Sequence, residues 1–287
     1  GMGGNNIRDM HMALKRIITL RDDEKLQDRD WIHFLGTSKL EWGVMLTSIQ
    51  RQLREHVNPN ITVSFDCASP YISSANGLVY TRNKVTSNQM SYIMEKCFDN
   101  KAFSHHSPGN LSNNPFPWES EIGSRLLTGD VNWYAPGMLN KIHKEGKTSW
   151  DSFTYGLLMS HNVYMHIRAV QEANSLATLE CENYQLDWRN WQKKGKKLNQ
   201  ESLYTPRNML MFDTFVKELF TSDNPHKLLD DAKLFLDDVS NNKHKDADTA
   251  FNSSPTSSFF DEEVEQQVEG EFDQMMEDSL TNLASEL

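Results

Sequence analysis

The chain has 287 residues, of which 38% are hydrophobic, 24% charged and 10% aromatic. That is enough apolar material for one or two packed domains, and no run of about 18 apolar residues is present to span a membrane. The formal charge of −11 is unevenly spread: residues 241–287 carry 12 acidic side chains against 2 lysines, so the first 240 residues are close to neutral and the tail is strongly acidic.

The overall charge therefore says little about the partners of the body. Cys67, Cys97 and Cys181 are an odd number at no ligand spacing. They support neither a disulfide scaffold nor a four-cysteine zinc site, and they point to a reducing, cytoplasmic compartment. The chain opens Gly1-Met2-Gly3-Gly4 with no signal-peptide pattern, which reads as a tag scar or as the middle of a longer frame.

Ile7 to Leu20 has helical spacing, with Ile7, Met10, Leu14 and Ile17/Ile18 on one face. Residues 31–35 are a short, mostly apolar run stopped by Gly36, which predicts a buried strand. Thr37 or Ser38 is placed to cap the next helix, striped by Leu40, Val44, Ile49 and Leu53. After the Asn58-Pro59-Asn60 turn, the β-branched run of residues 61–65 predicts a second strand. Helix, strand, helix, strand with short turns is the rhythm of a parallel sheet or barrel. The two strands should be adjacent and parallel, with the 39–55 helix as the crossover. In such folds, polar residues just past a strand's carboxyl end are the catalytic candidates, and Gly36 and Asp66-Cys67 stand there.

Residues 68–85 read as loop and Thr86 to Phe98 as helix. Residues 104–118 form an irregular stretch, and short helices are predicted at 119–127 and 136–144. A long helix follows from about Ser149 to Ala173, with Tyr155, Leu158, His161, Met165 and Arg168/Ala169 on one face. Trp188 and Trp191 lie in a polar stretch beside Lys193, Lys194, Lys196 and Lys197. Two amphipathic helices are predicted at 209–220 and 228–239, a linker at 240–257, and an acidic helical pattern at 259–280. These readings divide the chain into 1–177, a helical extension at 178–240, and an acidic linker and tail at 241–287.

Phe65-Asp66-Cys67 followed by Asn76-Gly77-Leu78-Val79-Tyr80-Thr81 resembles the nucleophile segment of the tRNA-guanine transglycosylases. Three further segments agree in order. His33-Phe34-Leu35-Gly36 looks like the strand and glycine that line that family's base pocket. Leu157-Leu158-Met159-Ser160-His161-Asn162 looks like its late helix with a His-Asn pair. Gly1 to Gly4 stands where the family has a glycine-rich, base-contacting turn. The match covers about residues 1–174.

The resemblance implies the carboxyl-terminal portion of a (β/α)8 TIM barrel, α/β in class, which this chain enters at the end of the sixth strand. Residues 31–35 and 61–65 would be strands seven and eight, and the chain would be the carboxyl-terminal part of an incomplete frame. It also implies a base exchange in tRNA or DNA, replacing guanine with a 7-deazaguanine and needing no cofactor. Asp66 would be the nucleophile at C1′, with the sugar held as a covalent intermediate. Ser64, Ser69 or nearby backbone N–H groups would hold its carboxylate, and Cys67 would point to the opposite side of the extended chain. Gly1, Met2, Leu35 and Gly36 would contact the base. Without the resemblance, Asp66 reads as a turn cap, Gly36 as a strand terminator and Gly1 to Gly4 as a scar.

The sequence also departs from the family. The family's zinc ligands are a short C-x-C-x-x-C run and the late-helix histidine; here only Cys97 lies between Cys67 and His161. The expectation is no metal, with His161 a hydrogen-bonded core residue. The family's arginines near Asn76-Gly77 are missing, which keeps DNA open beside tRNA as the substrate, as in the family's phage-type branch. Lys193, Lys194, Lys196 and Lys197 with Trp191 are candidates to grip phosphates and stack a base, or else a solvated loop. The acidic tail is a solubilising extension or a partner-binding helix. Against the enzyme stands a non-enzymatic module, a degenerate barrel that binds nucleic acid or protein. No membrane partner is expected.

Overall fold

The structure, a computed structural model, describes residues 1–3, 9–98, 111–131, 152–192 and 203–241. Asp9 starts the first helix, α1 (Met10–Asp22), by accepting the Met12 N–H at 3.0 Å. Met10, Ala13, Leu14, Ile17 and Ile18 recur at three- and four-residue spacing, so they share one face and are buried together. Strand β1 (Trp31–Phe34), helix α2 (Leu40–His56) and strand β2 (Thr62–Phe65) follow. The two strands pair in parallel with Phe34 opposite Phe65, as the sequence predicts, and α2 is the crossover.

Neither Thr37 nor Ser38 caps α2. Its N-cap is Lys39, with no side-chain bond. Thr37 is drawn instead to the strand ends, where its N–H donates to the Asp66 carbonyl at 2.8 Å. The turn before β2 is pinned by buried Asn58, whose Nδ2 donates to the Gln27 and Arg29 carbonyls and whose Oδ1 accepts the Asn60 N–H.

Met2 lies along the other side of β1, in a parallel bridge with Phe34. Its N–H donates to the His33 carbonyl at 2.7 Å, and its carbonyl accepts the Leu35 N–H at 2.8 Å. Thr62 and Asp66 donate toward β1, so the N–H of Val63 points to the outer edge of β2. There the Gln50 carboxamide of α2 accepts it at 2.6 Å.

Residues 68–98 differ from expectation. Helix α3 (Ser69–Ala75) begins with Pro70 in its first turn, and β3 (Leu78–Val85) and β4 (Met90–Lys96) form an antiparallel hairpin. Met90, Ile93, Met94 and Cys97 mimic a helical stripe. Pairing with β3 overrides it, and Tyr80 stacks on Tyr92 at 5.1 Å across the hairpin. The short turn Gly123–Arg125 leads to α4 (Thr128–Val131).

The long helix α5 (Ser152–Asn183) runs past its expected end at Ala173. Ala169, Ala173 and Ala177 are buried, so small residues continue the packing face where large apolar ones give out. Helices α6 (Arg207–Thr221), α7 (Pro225–Asp231) and α8 (Lys233–Asn241) complete the described residues.

α2 is the central helix, packing on α5 and α6 while α1 packs on α7 and α8. Gly43 permits the α2–α5 contact: a Cβ there would meet Val170 at 3.2 Å and the Phe65 ring at 3.4 Å. One apolar cluster joins Phe34, Leu46 and Ile49 to Phe212, Phe215 and Phe235, so residues from 1–177 and 178–240 share a core, and Gly1–Asn242 form one unit. Across α2 and α6, buried Asp213 accepts from Arg51 (2.8 Å) and Ser48 (2.9 Å) and pairs with Lys217 (2.8 Å).

The architecture is mixed α/β, mostly helical with small sheets. A closed barrel is not formed among the described residues. Their helices include none long and apolar enough to cross a membrane. The 136–144 helix, the lysine cluster, the linker and the acidic tail lie outside the described residues.

Candidate active site

Parallel strands bring their carboxyl ends to one edge, and here that edge gathers Met2, Leu35-Gly36 and Asp66. Gly36 turns the chain with φ 76°, a left-handed conformation that suits glycine. The turn aims its N–H at Asp66 Oδ1, 3.0 Å away. The other carboxylate oxygen, Oδ2, lies 3.5 Å from His33 Nε2. Asp66 is thus held from both sides while its side chain stays 59% exposed. Neither Ser64 nor Ser69 is its holder. Ser64 Oγ is engaged by His33 Nδ1 at 2.8 Å and accepts the Trp31 indole N–H at 2.5 Å.

Of the base-contacting candidates, Gly1, Met2, Leu35 and Gly36 come together. A Cβ on Gly1 would lie 3.9 Å from Leu35 Cδ1, and Leu35 is 47% exposed beside it. Three of the four have their backbone N–H committed, Leu35 to the Met2 carbonyl at 2.8 Å. The Met2 N–H is spent on His33 and its side chain is buried in the core, and the Gly36 N–H is spent on Asp66.

Alternation along the chain puts Phe65 and Cys67 on the helix-packed face of the sheet and Asp66 on the opposite face, with His33 and Ser64. Cys67 Sγ reaches α5, 3.7 Å from His166 Nε2, as its expected opposite orientation requires. A pocket of about 350 Å³ lies between the end of β2, α3 and α5. Asp66, Cys67, Tyr71, His166 and Val170 line it, and its size falls in the small-ligand range. His166 also contacts the Tyr92 hydroxyl at 3.4 Å and stacks on that ring at 4.8 Å. Burial pushes the Tyr92 hydroxyl far above the ordinary tyrosine range, with Tyr80 adding to the shift. Burial lowers His166 from 6.5 to about 4.

Because native His166 resists protonation, the unfolded chain binds the extra proton below about pH 6.5. Stability is therefore unaffected above that pH, falls as pH drops toward 4, and levels off below. The loss attributable to this group is about 3 kcal/mol. Urea midpoints at stepped pH should show a steeper decline for the parent than for His166→Phe; equal slopes would contradict a neutral buried imidazole.

His161 and Asn162 are core residues of α5. His161 bonds Ser120 Oγ (2.7 Å) and the Tyr80 carbonyl (2.9 Å), and burial lowers its pKa although Tyr80 opposes the shift. Both ring nitrogens are thus occupied, and the described residues hold no group of three or more His, Cys, Asp or Glu suited to a metal. Cys181 is likewise inert: burial, with nearby Asp213, pushes its thiol up to about 12.

Trp191 is placed by other contacts, its ring 6.3 Å from Phe235 and partly buried against the core. Beside it, Trp188 is buried and donates its indole N–H to Glu218, and Arg189 pairs with the same carboxylate. Lys193, Lys194, Lys196 and Lys197 lie outside the described residues.

The sequence reading missed His33 and His166 as site residues. His33 could have been found from register alone: pairing Phe34 with Phe65 puts His33 beside Ser64 and one step from Asp66. Comparison with family models, curated proteins and solved structures returns no match.

Proposed function

We propose that this chain carries the nucleophile of a nucleic-acid guanine transglycosylase. The observation that carries the reading is Asp66: an exposed carboxylate at the end of a parallel strand, fixed by Gly36 and flanked by His33. In the proposed reaction its oxygen bonds to C1′ of a guanosine in tRNA or DNA, guanine leaves, and a 7-deazaguanine attacks the same carbon. Met2, β1 and β2 would then be the ends of three consecutive strands of a (β/α)8 barrel. The exposed face carrying Trp31, Leu35 and Asp66 would look into its interior.

One observation favours the non-enzymatic reading. Gln50 already satisfies the outer edge of β2 at Val63, where a closing barrel strand would have to pair. A labelled-guanine exchange assay on the product of the natural gene, with tRNA and duplex DNA as acceptors, separates the two. Incorporation into either polymer supports the enzyme; binding of both without incorporation supports the module.

A further inference from the structure

We propose that His33 is the proton carrier of the exchange, giving a proton to the departing guanine and taking one from the incoming base. The inference rests on the reading of Asp66 as nucleophile. A carboxylate can displace guanine from C1′, but the C1′–N9 bonding pair then leaves on the base, and a purine anion is a poor leaving group unless it is protonated as it goes. A donor is therefore needed within reach of the same carbon.

His33 Nε2 is 3.5 Å from Asp66 Oδ2, on the same exposed side of the sheet. Its other nitrogen is tied down. The Trp31 indole N–H can only donate, so Ser64 Oγ is its acceptor, and the same oxygen lies 2.8 Å from His33 Nδ1, where its second lone pair can take the Nδ1–H of a doubly protonated ring. The Trp31 ring also lies 5.6 Å from the imidazole. Ser64 thus orients the ring so that Nε2 is the nitrogen that exchanges protons, with Nδ1 keeping its own.

The steps balance. In the first, the Asp66 O–C1′ bond forms, C1′–N9 breaks, and the Nε2 proton of doubly protonated His33 passes to guanine. In the second, neutral Nε2 takes the N–H proton of the 7-deazaguanine as its nitrogen attacks C1′, and Asp66 leaves as a carboxylate. His33 is then protonated again.

A substrate that needs no proton tests this. 7-Methylguanine in a polynucleotide is cationic and departs as a neutral molecule. Single-turnover base release from oligonucleotides carrying guanine or 7-methylguanine is measured for the product of the natural gene and for His33→Gln, Ser64→Ala and Asp66→Ala. In His33→Gln, the ratio of guanine release to 7-methylguanine release should fall by ~100-fold or more, the scale of lost acid catalysis. Ser64→Ala should move the same ratio in the same direction by less. An unchanged ratio in His33→Gln, whether both rates drop or neither does, overturns the role of His33 and leaves Asp66 standing. Release of both bases at parental rates by Asp66→Ala would instead overturn the reading of the nucleophile.

Discussion

Replacing Asp66 with alanine should lower guanine exchange by several orders of magnitude. Among the described residues at that strand end, Asp66 is the carboxylate facing the exposed side: Gly36 offers an N–H already in use, and Cys67 turns to His166 on α5. Losing one hydrogen bond from a fold costs about 1–3 kcal/mol, whereas losing a nucleophile removes the reaction path itself. Asp66→Asn separates the two effects. Its carboxamide keeps the shape and can still accept the Gly36 N–H, so folding should be unchanged while exchange falls nearly as far as with alanine. Exchange within about tenfold of the parent for either variant, a loss of only about 1.4 kcal/mol, would make Asp66 a turn cap.

The largest stability effect is expected at Asn162. Its Oδ1 accepts the Tyr80 N–H at 2.9 Å, and the two hydrogens of its Nδ2 are shared among Pro70 O (3.1 Å), Ser74 Oγ (2.9 Å) and Leu78 O (3.0 Å). One buried side chain therefore ties α3 and the start of β3 to α5, the wall of the pocket beside Asp66. Asn162→Ala leaves buried backbone groups on Tyr80 and Leu78 without this partner, and the loss should be roughly 3–5 kcal/mol. Asn162→Asp should be no milder, because the new oxygen faces carbonyls that need a donor. A shift of the urea midpoint with an unchanged slope reads this out. A loss below about 1 kcal/mol would mean that water replaces the amide.

The βαβ core was legible because its signals are local. A β-branched run at 61–65, a stop at Gly36 and a turn at Asn58-Pro59-Asn60 each act within a few residues. The hairpin was not: the spacing of Met90, Ile93, Met94 and Cys97 fits a helix, and only the presence of β3 decides otherwise. The burial of Trp188 is not legible in the polar stretch around it, for a similar reason. Its burial depends on Phe215 and Phe235, distant in the chain, and its indole N–H is satisfied by Glu218. At the site, the sequence points to Asp66 and Gly36 as strand-end residues. That Gly36 holds Asp66, and that His33 faces it, follows only from strand register. The two histidines of α5 divide in the same way. His161 fits a core position by spacing, while His166 becomes a pocket residue only because the end of β2 and α3 come against α5, with Cys67 Sγ 3.7 Å from its ring.

The most direct test of the account is to find the bond it requires. The product of the natural gene is incubated with a guanine-containing tRNA or DNA in the absence of a replacement base. It is then denatured and digested, and the peptide carrying the nucleic acid is sequenced by mass spectrometry. The account predicts a sugar ester on Asp66 that disappears when a 7-deazaguanine is supplied before denaturation. Guanine exchange with an adduct on another residue, or with no adduct at all, would contradict it.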